Sequence, residues 1–325
     1  MKAQTAAVVT QGRVRTGTDW VAKHHLGPLL GFIMIFIALS ILSRSFLTVP
    51  NLLNVALQTS VNALLAIGST YVILTAGIDL SVGSVLAFSS AIAAGLMVNG
   101  INPWWASLIG LVVGGLAGLL NGLFVAYARL APFIVTLGTL TLFRGLTQIY
   151  TAGTPIFNLP AGFATFGAGA IAGIPIPVIV TLLVFAIGAV ALARTTHGRR
   201  IYAIGGNERA AYLAGIPVKR YLVAVYVVSG VLAALAGLVL TSRLGTAEPT
   251  AGTGYELDAI TAVVLGGTSL FGGEGTLWGT LVGALILGVI GNGLNLLNIN
   301  AFYQDAIKGA IILLAIMLDR QRTTH

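Results

Sequence analysis

Apolar residues dominate this chain in long runs, and each run is interrupted by a short segment rich in polar residues, glycine or proline. A helix that crosses a bilayer needs about 20 predominantly apolar residues. Ten segments are typical of such helices, at 29–47, 52–76, 80–98, 104–127, 132–151, 177–193, 221–241, 257–272, 276–296 and 303–318. The pattern therefore predicts an all-α polytopic membrane protein of about ten transmembrane helices.

The spans group into a single transmembrane domain over residues 28–320, with a basic tail at 1–27 and a short tail at 321–325. Residues 152–176 are uncharged and could hold an eleventh span. Pro155, Pro160 and Pro175 make this segment a poor helix, so we expect a loop.

Composition supports a membrane protein, because 57% of the residues are hydrophobic and only 8% are charged, where about 25% is typical of soluble proteins. The chain has no cysteine, and its four histidines lie outside the apolar runs, so we expect no metal centre. It contains no Gly-Lys dipeptide and hence no Walker motif. We therefore expect no cofactor and no enzymatic activity.

The net charge of +8 indicates topology and not a nucleic-acid partner, because the basic residues fall in short clusters between apolar runs. If both termini and the 194–220 loop are cytoplasmic, every Lys and Arg lies inside except Arg44 and Arg243 outside and Arg144 and Lys308 within spans. This arrangement satisfies the positive-inside rule and predicts that the 152–176 loop is exported.

Glycines recur every four residues in two spans, which lets another helix backbone approach closely. They are Gly110, Gly114, Gly118 and Gly122 in the fourth span, and Gly275, Gly279 and Gly283 in the ninth. We interpret both stripes as packing seams; a sliding surface for alternating access is the functional alternative. The two spans run in opposite directions, which suggests an inverted repeat of the two halves.

Carboxylates are scarce, and Asp79 is expected to be the one carboxylate in the middle of an apolar region. Asp305 lies three residues before Lys308 and is expected to neutralise it. Asp79 stands between the second and third spans, where it is either a helix cap or a gating residue. Few intramembrane carboxylates disfavour an ion-coupled secondary transporter.

The loop at 194–220 carries six positive charges and one negative charge. Asn207 is a good N-cap, Glu208 suits the first turn of a helix, and Gly215 suits its end. A helix of about two turns is unstable alone, so it must lie on lipid headgroups or on a partner protein.

Amide side chains form two spaced sets, Asn54, Gln58 and Asn62 in the second span and Asn292 and Asn295 in the ninth. They either hydrogen-bond neighbouring helices or line a pathway for a neutral polyhydroxylated solute.

Four motifs together resemble the permeases of ribose-type ATP-binding-cassette (ABC) importers. They are Gly77-Ile-Asp-Leu-Ser-Val-Gly-Ser84, the segment Ala203–Ile216, the segment Gly266–Thr276 and the segment Tyr303–Gly309. One departure is Ala76, where the family more often has glycine.

The resemblance implies a subunit with the fold of type II importer permeases in the bacterial inner membrane, surrounded by lipid. It implies a homodimer that receives a simple sugar from a periplasmic or lipoprotein binding protein and is driven by a separate cytosolic ATPase. It also implies that the ATPase docks on a coupling segment that contains Gly205, Gly206, Asn207, Glu208, Arg209, Ala210, Ala211 and Gly215. A permease for branched-chain amino acids is the alternative, because such importers have a similar architecture.

Overall fold

The computed structural model describes residues 17–323, with side chains described from residue 27 to 314 except 301, and at 317. The described chain is mainly helical. Its helices are α1 Gly17–Leu42, α2 Val49–Leu74, α3 Val82–Val98, α4 Pro103–Ala126, α5 Pro132–Thr151, α6 Ala161–Ala168, α7 Ile176–Arg194, α8 Thr196–Gly206, α9 Glu208–Leu213, α10 Val218–Leu244, α11 Tyr255–Leu265, α12 Leu277–Leu296 and α13 Ala301–Thr323.

Each of the ten predicted spans coincides with a helix, but the helices differ in length. Within the described residues, five are long and apolar enough to cross a membrane by length and composition, namely α2, α4, α7, α10 and α12. The chain is thus a multi-pass membrane protein, and the number of ten spans stays a prediction. No membrane-length helix occurs at 152–176, where α6 is followed by a hairpin of β1 Ala170–Ile171 and β2 Ile174–Pro175.

The eighth predicted span, 257–272, is wrong in length. Helix α11 ends at Leu265 after 11 residues, which is about 16 Å and too short to cross a bilayer. The cause is the glycine-rich sequence that follows, because Gly267, Gly272 and Gly273 all take positive φ values that favour glycine. The chain then runs as a loop to Thr276, which caps α12.

Helix α10 lies at the centre of the helix bundle and packs most extensively on α4. The glycine stripe of α4 faces this contact: a Cβ on Gly114 would strike the carbonyl of Gly230, and one on Gly118 would strike the carbonyl of Tyr226. The stripe is therefore a packing seam in which two helix backbones touch.

The second glycine stripe packs on a different partner. Gly279 and Gly283 of α12 lie against the backbone of Gly266 and Ala262, at the end of α11. Gly275, which was expected in the same helix, precedes the N-cap and belongs to the loop, with a φ of +147°. The prediction for Gly275 is wrong, because Thr276 caps the helix and α12 begins at Leu277. The α4 stripe packs on α10, whereas the α12 stripe packs on the end of α11, so the two stripes do not have equivalent partners. The inverted repeat stays a prediction.

Candidate functional site

Asp79 lies in the turn between α2 and α3 and is only 3% exposed. Its Oδ1 accepts hydrogen bonds from the Ser81 backbone N–H at 3.0 Å and from the Ser81 hydroxyl at 2.6 Å. Its Oδ2 accepts one at 2.8 Å from the hydroxyl of Ser229 in α10. Both carboxylate oxygens are therefore satisfied, as a buried polar group requires.

The hydrogen bonds continue from Ser81 to two further helices. Asn121 of α4 donates to the Ser81 hydroxyl at 2.8 Å, and Thr139 of α5 donates to the Asn121 side-chain oxygen at 2.7 Å. Asp79 thus belongs to a buried network that joins α3, α4, α5 and α10, and not to an isolated helix cap. Sequence analysis missed Ser229, Asn121 and Thr139; the available signal was a polar residue inside each apolar span.

The coupling segment folds locally as its sequence predicts, although its role stays a prediction. The Asn207 side chain accepts a hydrogen bond from the Ala210 N–H at 2.9 Å, which caps α9. Gly215 takes a φ of +81° just beyond the helix. The preceding helix α8 was not predicted; its cap is Thr195, whose hydroxyl accepts a hydrogen bond from Gly198 N–H at 3.3 Å.

Helix α8 rests on the junction of two loops. The Gly273 N–H donates to the Leu74 carbonyl at 3.0 Å, which joins the end of α2 to the 266–276 loop. A Cβ on Gly205 would strike that same Leu74 carbonyl. The Tyr202 hydroxyl donates to the Gly275 carbonyl at 2.9 Å, and burial raises the pKa of this phenol, so it stays a neutral donor. Helix α8 is therefore in contact with the end of α2, just before the turn that holds Asp79.

The two faces of α9 differ sharply in exposure. Ala211 is 4% exposed and packs within the chain with Ile201, Ile204 and Val218. Tyr212 and Leu213 are 70% and 78% exposed. The expectation that Ala211 meets a partner is therefore wrong, because its side chain anchors α9 to α8 and α10. Tyr212 and Leu213 are the large apolar side chains on the exposed surface of α9, which also includes Glu208, Arg209 and Ala210.

The predicted amide sets do not form one group. Asn292 of α12 exchanges two hydrogen bonds with Asn51 of α2, at 2.9 and 3.0 Å. Asn295 accepts a hydrogen bond at 2.8 Å from Gln304 of α13. Both contacts favour the structural interpretation of the α12 amides. Asn51 was missed by the sequence analysis.

The amides of α2 differ from those of α12. Gln58 donates to Asn54 at 3.1 Å, and this contact lies on the exposed surface of α2. The Asn62 side chain lies beside Asp258 of α11, and its Oδ1 is buried without a partner in the described chain. These three residues lie along one polar face of the chain.

A partly buried ion pair corrects the predicted partner of Lys308. Its ammonium lies 3.3 Å from the Asp258 carboxylate, across the contact between α13 and α11. Asp305 is instead exposed. Asp79 is therefore not the one intramembrane carboxylate, because Asp258 is buried too. No group of three or more potential metal ligands occurs among the described residues.

The long apolar helices place the chain among the multi-pass membrane proteins. Residues 51–316 match the family described as "Branched-chain amino acid transport system / permease component". The chain belongs to this family of transport-system permeases.

Curated relatives are similar over nearly their whole length. The chain is 53% identical over 300 residues to the ribose import permease protein RbsC of Bacillus subtilis, which covers 92% of this chain and 93% of the relative. It is 48% identical to the protein of the same name from Escherichia coli K12, over 90% and 93% of the two chains. It is 45% identical to the D-allose transport system permease protein AlsC of that organism, over 85% of each. No solved structure matches the chain.

Proposed function

We propose that this chain is the permease subunit of an ABC importer and forms the translocation pathway for a simple sugar of the ribose type. The observation that carries the proposal is the 53% identity to a ribose import permease over 92% of the chain. The next relatives are named for other neutral sugars, D-allose and L-arabinose. The substrate therefore belongs to the monosaccharides.

Energy comes from a separate ATPase that docks on α9. Tyr212 and Leu213 expose a tyrosine ring and an apolar side chain on a capped two-turn helix, which is the geometry of a helix that fits a partner's groove. Helix α8 beneath it contacts Leu74 and Gly273, so movement of α9 reaches the ends of α2 and the 266–276 loop.

The docking role is tested by replacing Tyr212 and Leu213 together with alanine. Both side chains are exposed, so we expect unchanged thermal stability, loss of the co-purifying ATPase and loss of uptake. A matched control is Tyr303→Ala with Leu314→Ala, which also removes an exposed tyrosine and leucine, but from α13. Retention of the ATPase by the α9 variant would contradict the proposed docking surface.

The chain lies in the inner membrane of a bacterium with both termini and the 194–220 loop in the cytosol. The distribution of Lys and Arg supports this topology. In it, the short helix α11 and the loop that follows it are counted together as one of the ten membrane-crossing segments. A cysteine at Gly206 tests it, since the chain has no native thiol and Gly206 is exposed. Labelling of this cysteine from outside intact cells by an impermeant reagent would contradict the proposed topology.

Two copies of the chain form a homodimer around the pathway. Asn54, Gln58, Asn62, Asp258 and Lys308 form what we call the polar face, at the contact of α2, α11 and α13. The Lys308 side chain is 38% exposed in the single chain, and an exposed ammonium in lipid is costly. A second copy, or the water-filled pathway between copies, covers this face.

The binding partner outside the membrane is a sugar-binding protein, and its ligand separates the two substrate classes. We expect that unlabelled ribose competes with the transported sugar and that leucine does not. The family description favours branched-chain amino acids, so competition by leucine alone would assign the chain to that class. An ion-coupled mechanism is disfavoured because Asp258 is paired with Lys308 and Asp79 is held by three hydrogen bonds.

A further inference from the structure

A cavity of about 1060 Å³ opens between the α4–α5 loop, α9 and the first turn of α10. Four cations line it, Arg129, Arg209, Lys219 and Arg220, against one carboxylate, Glu208. None of the four forms an ion pair with any side chain that the structure describes. The cavity therefore has an excess of positive charge without a counter-ion from the described chain.

The backbone and one aromatic ring position two of these cations at the end of α4. Arg129 takes a left-handed φ of +56° in the short turn that joins α4 to α5. The Lys219 ammonium lies 5.0 Å from the ring centroid of Tyr127, within the range of a cation–π interaction. Arg129 and Lys219 are therefore associated with the same short loop.

Several exposed apolar side chains lie at the ends of the two helices beside the cavity. Leu123 and Phe124 end α4, Leu130 lies in the loop, and Phe133 and Ile134 begin α5. Exposed apolar side chains on a membrane helix face the acyl chains of lipid. A cationic cavity thus adjoins a lipid-facing apolar surface.

We infer that this cavity binds the phosphate headgroup of an anionic phospholipid, whose acyl chains lie along α4 and α5. Basic pockets at the cytoplasmic membrane surface bind such headgroups. An acidic segment of a protein partner could neutralise the cations, but it would not use the apolar surface next to them. The assignment to the cytoplasmic leaflet, though not the chemistry of the ligand, rests on the proposed topology.

A lipid bound in this cavity would affect the coupling between the ATPase, which we propose docks on α9, and the membrane helices. Glu208, Arg209 and Tyr212 of α9 line the cavity, as do Thr75 and Gly77 of the turn before Asp79. A headgroup held there bridges the coupling helix and the membrane helices. Occupancy of the site therefore fixes the position of α9 on the permease.

The test compares two double variants of the full-length permease in nanodiscs that contain phosphatidylcholine and phosphatidylglycerol. Arg129→Gln with Lys219→Gln removes two charges from the cavity. The control, Arg194→Gln with Arg199→Gln, also removes two positive charges from the 194–220 loop, but neither of these residues lines the cavity. Native mass spectrometry measures the phosphatidylglycerol that stays bound, and thermal unfolding checks that both variants fold.

We expect the cavity variant to lose phosphatidylglycerol affinity by about 25-fold, because each of the two cations near an anionic headgroup contributes about fivefold. The control variant should retain it. Equal loss in both variants would mean that the lipid responds only to overall charge, and equal retention would mean that the site does not exist. If the cavity variant kept the lipid but lost the ATPase, the cavity would be a protein-docking site. None of these readouts requires sugar transport, so failure of the proposed substrate would leave this result interpretable.

Discussion

Asn51 and Asn292 exchange two amide hydrogen bonds, of 3.0 and 2.9 Å, between the first turn of α2 and the last turns of α12. Asn51 also donates to the Phe46 carbonyl at 2.9 Å, so the pair fixes the turn that leads from α1 into α2. Asn292 is buried, and each amide satisfies the other. The pair is an interhelical clamp.

This clamp predicts a structural effect of substitution. Asn51→Leu leaves the buried Asn292 amide without its partner, and we expect the free energy of unfolding to fall by about 1–2 kcal/mol. Uptake per folded molecule should not change. Thermal unfolding of Asn51→Leu, Asn292→Leu and the double variant measures the coupling, and the double variant should lose less than the sum of the single losses. If Asn292→Leu kept normal stability but slowed uptake, the result would contradict the structural role and support a role of Asn292 in the translocation pathway.

The Lys308–Asp258 ion pair should contribute to stability, because the Asp258 carboxylate is buried. Lys308→Met leaves the buried Asp258 carboxylate without its partner, and because Lys308 is 38% exposed and partly screened by solvent, we expect a loss of stability of about 1–3 kcal/mol. Adding Asp258→Asn should recover much of that loss. Asp305→Asn is the control, because Asp305 is exposed and carries the same charge as Asp258. Absence of recovery in the double variant would show that the two groups do not act as a pair.

Two adjacent glycines in α8 should respond differently to the same substitution. A Cβ at Gly205 would strike the Leu74 carbonyl, whereas a Cβ at Gly206 has no neighbour within 4 Å. We expect Gly205→Ala to separate α8 from the α2 end and to reduce sugar uptake at least tenfold relative to ATP hydrolysis, about 1.4 kcal/mol of lost coupling. Gly206→Ala should transport normally. Equal activity of the two variants would exclude the junction as the route of coupling.

Asp79 is expected to stabilise the turn before α3. Asp79→Ala removes the acceptor of three hydrogen bonds and leaves the buried Ser81 and Ser229 hydroxyls without it, so we expect a loss of about 2–4 kcal/mol. Asp79→Asn keeps the shape and one acceptor oxygen and should lose less. Melting temperatures check this expectation: the wild type should melt highest, Asp79→Asn lower and Asp79→Ala lowest. A wild-type melting temperature for Asp79→Ala would exclude the network as a source of stability.

Periodicity and composition were sufficient to predict the helices that correspond to the ten apolar segments, with most of their ends, but not α6 or α8. They also predicted the cap and the end of α9, since Asn207 and Gly215 act through local backbone geometry. They failed where glycine interrupts an apolar run, because hydropathy does not distinguish the end of α11 from the loop that follows it. Length alone could not show that this segment stops at Leu265.

Contacts between distant helices were not predictable from spacing. Asp305 is the acid nearest in sequence to Lys308, but the packing of α13 on α11 brings Asp258 to it. In the same way, the pairing of Asn292 with Asn51 and of Asp79 with Ser229 joins residues far apart in the chain. The Ala211 side chain is buried because it packs on α8, a helix that was not predicted.

The most direct measurement of the proposed function is uptake of labelled ribose into proteoliposomes that contain the permease, its ATPase and the sugar-binding protein, with all ion gradients collapsed. We predict uptake with ATP on the ATPase side, no uptake without it, and none with the Tyr212→Ala, Leu213→Ala variant. Uptake that requires an ion gradient and proceeds without ATP, or uptake of leucine in place of ribose, would contradict a sugar permease driven by an ABC ATPase.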